Sequence, residues 1–297
     1  MSWQPLPYGA WVETRDTLHL HTQVLGKLAL ALARPEPQFQ HAALRLTARG
    51  IETGPLRAPD GSGSLVAALD LREHVALVEH SRGRAERIPL TPNRSVAEVA
   101  RDVLAAVRTC GGPVRITMTP QEVSWTTPLD EDTGHATYDS TQVEAFFAAA
   151  TEAAHVLADV RAPYRGRSTP VNLWWGSFDL AVNLFSGAPA EPPSDDFLMR
   201  NAMNAQEIAL GWWPGDHRYE RAAFYAYAHP SPAGLDALRL PAGAWNAALG
   251  EFLLDWDDAT PDSALAFCRS FARGAAELGA WPPDLCACID GSVAPVS

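Results

Sequence analysis

His19, Gln23 and Lys27 recur at spacing i, i+4, i+8 within TLHLHTQVLGKLALAL, residues 17–32. On a helix they stack along one line of the surface. An imidazole exchanges protons near neutrality, an amide orients a polar ligand, and an ammonium holds an anion. Lys and Arg total 23, and Lys27 is the single lysine among them. A buried lysine loses its proton far more readily than an arginine, so it can be a base or nucleophile where arginine cannot. Coding bias toward arginine is the plainer account of the imbalance.

Placed at 100° steps, the stretch divides into two arcs. Leu18, Leu20, Val24, Leu25, Leu28, Ala31 and Leu32 share one, and His21 falls among them as an expected packed histidine with one backbone partner. Arg15, Asp16, His19, Thr22, Gln23 and Lys27 share the other, with Gly26 and Ala29 leaving room for a second surface. Either this arc is a solvated face or it lines a cleft. His19 and His21 point in different directions, so one metal cannot take both.

Strand alternation yields a second set of candidates. Tyr225, Tyr227 and His229 share a face in FYAYAH, Trp175, Ser177 and Asp179 in WWGSFDLAV, and Glu207 lies opposite Ile208, Leu210 and Trp212 in EIALGWW. Flat aromatics with polar tips and convergent carboxylates compose a binding surface. A wet outer sheet face has the same pattern.

The elements that must position these groups follow from periodicity and turn signals. Residues 8–32 read as a helix, then short strands at 41–50, 64–71, 74–80 and 85–90, a helix capped by Ser95 with Glu98 at the capping-box spacing, and a strand at 114–120. After a polar connection at 126–140 the order recurs: a helix at 141–162, one or two strands in 169–189, strands at 207–215, 222–230 and 250–256, and a helix from Pro261 to Leu278. Residues 186–196 read as a surface loop.

The net charge of −12 and the scattered arginines argue against nucleic acid and anionic membrane surfaces as partners. No apolar run approaches the ~18 residues of a membrane span. MSWQPLPYG lacks the regions of a signal peptide, and four cysteines make no disulfide framework, so a cytoplasmic protein is expected. The C-x-C of Cys286 and Cys288 has no partner pair for a zinc site. No nucleophile elbow, Walker loop, dinucleotide fingerprint or H-E-x-x-H is present.

In order, TLHLHTQVLGK, HATYD, WWGSFDLA, GWWPG and FYAYAHP resemble an uncharacterised bacterial family of the domain-of-unknown-function kind, over nearly the whole chain. The resemblance implies single-domain cytoplasmic proteins of about this length with no known activity. It marks Thr17, His19, Gln23, Lys27, Trp175, Ser177, Asp179, Glu207 and Tyr225 as motif positions. The family pattern commonly has an aromatic residue at position 21, and it reads Ser-His-Glu where this chain has Ala205-Gln206-Glu207.

The expected architecture is one compact α+β domain over 1–297 with two similar halves, about 1–128 and 129–297. Each half is a long helix packed on an antiparallel sheet, followed by a second helix. The expected function is small-molecule binding in a polar, aromatic-lined cleft between the first helix and the second sheet, with hydrolase- or lyase-like acid/base chemistry. His19 is the acid/base group, Asp179 or Glu207 its partner and Lys27 the anchor of an anionic group. Gln23, Trp175, Ser177, Tyr225 and Tyr227 line the ligand. The alternative is a non-catalytic binding or protein-interaction module using the Trp and Tyr face. No metal site is expected; the sequence identifies no cofactor and no oligomeric state.

Overall fold

The computed structural model describes residues 3–289. The chain is α+β with two antiparallel sheets, and the order helix, strands, helix occurs twice. It forms two compact units. The first holds Gly9–Ala148 and Leu173–Phe178, and the second holds 3–8, 149–172 and 179–289.

The first unit takes its sheet from β1 (Arg45–Thr47), β2 (Gly50–Glu52), β3 (Leu56–Arg57), β4 (Ser64–Asp70), β5 (Val75–His80) and β6 (Ala85–Pro89), in the order β1-β2-β4-β5-β6 with β3 beside β4. Helix α2 (Val96–Gly111) packs on β4, β5 and β6. Val96, Val99, Ala100, Val103, Val107 and Cys110 recur at helical spacing, and all are buried. Its first turn is closed by the capping box read from the sequence: Ser95 accepts from the Glu98 amide while Glu98 bonds back to Ser95.

Two strand readings change. Residues 41–50 give a 3₁₀ turn (Pro37–Ala42) and the β1–β2 hairpin. The stretch 114–120 keeps its alternation, with Arg115, Thr117 and Thr119 exposed and Val114, Ile116 and Met118 half-buried, yet it pairs with no strand. Alternation reports which side faces the protein; a ladder also needs a neighbour at 4.7–4.9 Å. Residues 112–139 thus run without helix or strand, a length at which irregular segments are commonly functional.

Helix α1 (Tyr8–Leu32) starts after Pro7 and stops short of Pro35. Every residue from Thr17 to Ala29 is buried, polar arc included. The helix therefore has no solvated face along this stretch, and its polar groups must find protein partners.

In the second unit the strands β8 (Asp179–Pro189), β9 (Ala205–Trp213), β10 (Ala223–His229), β11 (Ala244–Asn246) and β12 (Glu251–Asp255) lie in the order β11-β12-β10-β9-β8. Helix α5 (Pro261–Leu278) packs on β9 and β10, burying Phe267, Phe271 and Ala275. Val182, Leu184, Ile208, Leu210, Phe224, Phe252 and Leu254 are buried, alternating with the polar face. Helix α3 (Ser140–Arg161), strand β7 (Asn172–Trp174), helix α4 (Phe197–Ala202) and helix α6 (Pro283–Ile289) complete the elements. The stretch 169–189 resolves into β7 and β8 joined by a turn at 175–178, and the following loop leads to α4, capped by Asp196.

His21 is 2% exposed and its Nδ1 has no hydrogen-bond partner among the described residues, so the expected backbone partner is not found there. Burial, reinforced by Arg94 and opposed by Asp132, lowers its pKa to about 4. The unfolded chain binds this proton near 6.5 and the folded chain only near 4. Stability from this group is full above the unfolded value and falls toward the folded one, by about 3 kcal/mol in total. Urea unfolding of wild type and His21→Gln between about pH 4 and pH 7 is expected to show this loss in wild type alone.

Candidate functional site

The chemistry-bearing residues form two groups, one in each unit. In the first unit, α1 presents its polar arc to the turn at 175–178. His19 Nε2 donates to the carbonyl oxygens of Trp175 (2.9 Å) and Gly176 (3.0 Å). Carbonyls only accept, so Nε2 carries the proton and, in neutral imidazole, Nδ1 is the basic atom. Gln23 Nε2 donates to the same Trp175 carbonyl (3.1 Å) and to that of Gln121 (2.9 Å), while Gln23 Oε1 accepts from the Gln121 amide (3.1 Å). One glutamine thus ties the turn and the irregular segment to the helix.

Trp175 is pinned at its other end as well. Its indole donates to the Ala42 carbonyl (3.0 Å), and its ring lies against Gly26, where a Cβ would stand 2.1 Å from Cγ. Gly26 makes room for this indole. The His19 ring stacks on Phe178 (4.9 Å between centroids, 13° between planes) and meets Trp125 edge-on (5.6 Å). Phe178 has a φ of 60°, uncommon outside glycine, and stacks in turn on Phe146 (5.2 Å). Trp125 meets His135 (5.1 Å), whose Nδ1 bonds Asp132 (2.7 Å).

Lys27 is 2% exposed. Nζ donates to Thr117 Oγ1 (3.3 Å) and Gln121 Oε1 (3.2 Å) and stands 5.4 Å from the centre of the Trp175 ring. Burial lowers its pKa to about 8.

In the second unit, pairing fixes the polar sheet face. Tyr225 lies opposite Gly211 on β9 and Leu253 on β12; Glu207 lies opposite Phe185 on β8 and His229 on β10. A Cβ on Gly211 would stand 2.2 Å from Tyr225 Cζ, so the glycine leaves the tyrosine ring its place over the sheet. The Tyr225 hydroxyl donates to Asp179 Oδ2, and its ring stacks on Tyr227 (6.2 Å) and meets Trp213 edge-on (5.5 Å). Burial, then the negative charge of Asp179, pushes the Tyr225 pKa well above the ordinary phenol range. The Trp213 indole N–H is buried and has no partner among the described residues.

Two carboxyls on this sheet titrate near neutrality. Glu207 is 3% exposed; burial raises its pKa to about 7, against an Asn183 hydrogen bond and the Arg167 charge. Glu251 is half-buried and also raised to about 7, by burial and then by Asp179, with Arg218 opposing and Asp216 adding to the rise. Among the described residues its carboxyl has no hydrogen bond or ion pair. Asp216, by contrast, is fully engaged: Oδ2 accepts from Arg218 (2.7 and 3.0 Å) and Oδ1 from the amides of Arg218 and Tyr219.

Of the residues picked from the sequence, His19, Gln23, Lys27, Trp175 and Ser177 belong to the first unit, and Asp179, Glu207, Tyr225 and Tyr227 to the second. The first four of these meet around the Trp175 carbonyl and ring; Ser177 stands exposed in the turn. Trp175 and Ser177 are turn residues, so alternation does not place them on the Asp179 face. Asp179 and Tyr225 meet directly. Glu251, Trp213, Thr117, Gln121 and Trp125 join these groups without being candidates from the sequence. Glu251 shares a face with Leu253 in GEFLLDW, but only the strand register puts that side beside Tyr225. Thr117, Gln121 and Trp125 lie in a segment with no regular signal. Among the described residues no group of three or more His, Cys, Asp or Glu could hold a metal ion.

Gly26→Ala tests the indole contact. Alanine is favoured over glycine by about 1 kcal/mol in an open helix. Here overpacking is expected to reverse the sign and cost about 3 kcal/mol in urea unfolding, part of it recovered by Trp175→Leu in the same chain. Glu207→Gln is expected to stabilise the protein at about pH 8 by up to about 3 kcal/mol and to have little effect at about pH 5, because a buried carboxyl with a raised pKa loses its folded-state advantage as pH rises through about 7.

No curated protein and no solved structure matches the chain. A family of unknown function (DUF5996) matches residues 3–288, nearly the whole length. The chain belongs to that family.

Proposed function

We propose that the chain binds a small molecule on the polar face of β8–β12 and moves protons there in a hydrolase- or lyase-like reaction. The observation that carries this reading is Glu251: a half-buried carboxyl without a hydrogen bond among the described residues, beside the Tyr225–Asp179 pair, titrating near 7. A group with that pKa is present in both forms at neutral pH and can give or take a proton. Tyr225, held by Asp179, orients a polar atom of the ligand, and Tyr227 and Trp213 supply ring faces. Glu207, hydrogen-bonded to Asn183, is a second carboxyl on the same sheet with its pKa raised to about 7. His19, whose Nε2 proton is given to two carbonyls, serves as a positioning residue for its own turn.

A passive binding module is the second reading, favoured by the row of rings Trp213, Tyr225 and Tyr227. We place the protein in the cytoplasm, supported by Cys110, Cys268, Cys286 and Cys288 all being free thiols, with neither nucleic acid nor membrane as partner.

The test is a thermal-shift screen of small organic acids, alcohols and amines at about pH 6 and pH 8, followed by Glu251→Gln and Tyr225→Phe. The proposal expects a ligand whose binding both variants weaken, and turnover of it with a pH inflection near 7 that Glu251→Gln removes. Binding without chemical change supports the passive module. Ligands indifferent to both variants overturn the site.

A further inference from the structure

We propose that Lys27 anchors a binding site for a small anion, a carboxylate or a phosphate, covered by Thr117 and Gln121. The site belongs to the first unit and stands independently of the sheet face.

The first argument is charge. Arg15, Arg49, Arg94, Arg218 and Arg221 each have a carboxylate within hydrogen-bond reach. Lys27 is more buried than any of them and, among the described residues, makes no ion pair. Its partners are a hydroxyl, an amide oxygen and a ring face, all neutral, and both hydrogen bonds are long, at 3.2 and 3.3 Å. A buried ammonium without a counter-charge is costly, so such groups are normally paired. Among the described residues no carboxylate pairs with this ammonium.

The second argument is access. Thr117 and Gln121 are exposed although the lysine beneath them is not. The amine is bonded to two residues of the irregular segment 112–139 that themselves reach the surface. An anion that reaches the amine displaces these two surface side chains, and α1 stays in place.

The third argument is that the cover can change role. A threonine hydroxyl accepts from Lys27 and can also donate, and the Gln121 amide, rotated about its last bond, offers Nε2 in place of Oε1. Lys27, Thr117 and Gln121 then all point donors at one oxyanion. Gln23 stays committed to the backbone and holds the segment in register. Among the described residues burial is the cause of the depressed Lys27 pKa, with no charged neighbour contributing. A bound anion supplies the opposite contribution.

A single lysine makes the test clean, because ¹⁵Nζ-lysine labelling of the full chain gives one side-chain signal. Its pH titration is expected to place the free amine near 8. Saturating sodium phosphate or sodium succinate, against sodium chloride of equal ionic strength, is expected to raise that midpoint by about one unit, a tenfold preference for the charged form. A response to phosphate alone names a phosphate site, and a response to succinate alone a carboxylate site. Lys27→Met, which removes the charge and keeps the apolar stem, is expected to retain the fold by circular dichroism and to lose anion binding by calorimetry. Thr117→Ala with Gln121→Ala, both at exposed positions, is expected to weaken the anion-induced shift several-fold. A Lys27 midpoint that neither anion moves overturns the proposal, as does anion binding that survives Lys27→Met.

Discussion

A helix buried on every side can bond its polar side chains only to protein, and that constraint organises the first unit. The polar arc of α1 is buried, and backbone carbonyls are turned toward it. The Trp175 and Gly176 carbonyls accept from His19 Nε2, and the Trp175 carbonyl also accepts from Gln23 Nε2. Holding those carbonyls in place requires the turn at 175–178, the left-handed Phe178 that ends it, the Ala42 anchor of the Trp175 indole and the missing side chain of Gly26. Polar residues on the helix are thereby converted from a liability into the fixings of a loop.

Complete and incomplete satisfaction separate structural polar groups from those available for chemistry. Gln23 and Asp216 are saturated by geometry that leaves little for a ligand. Lys27 has hydrogen bonds but no counter-charge, and Glu251 has neighbouring charges but no hydrogen bond among the described residues. Each unit thus carries a group whose ionisation burial brings near neutrality. The shifts share one cause, burial, and act in opposite directions because burial disfavours the charged form of acid and base alike.

Much of this fold is legible in the sequence because its long elements are strongly periodic. The helix from Pro261 to Leu278 and the box at Ser95 and Glu98 are local patterns that tertiary contacts do not override. The sheet-face partition of Tyr225, Tyr227 and Glu207 is legible for the same reason. Three things were not. The stretch 114–120 alternates like a strand but has no neighbour to pair with, and pairing is not a local property. Trp175 and Ser177 sit in a turn whose left-handed residue is a phenylalanine, with no sequence signal for it. The partners of Lys27 come from about ninety residues downstream, in an irregular segment that periodicity cannot address.

Gly26 with Trp175, and Gly211 with Tyr225, are two places where one residue's absence is another's seat. Such pairs impose an order on evolutionary change. A lineage that enlarges the glycine first passes through a clash; one that shrinks the aromatic first passes through a void and can then refill it. The second route stays open only while the rest of the chain can tolerate the void. At Gly211 the intermediate also removes the tyrosine hydroxyl that donates to Asp179 before anything replaces it. Each glycine is in this sense held by its aromatic partner, and the history of the two positions is a single history read from the aromatic side.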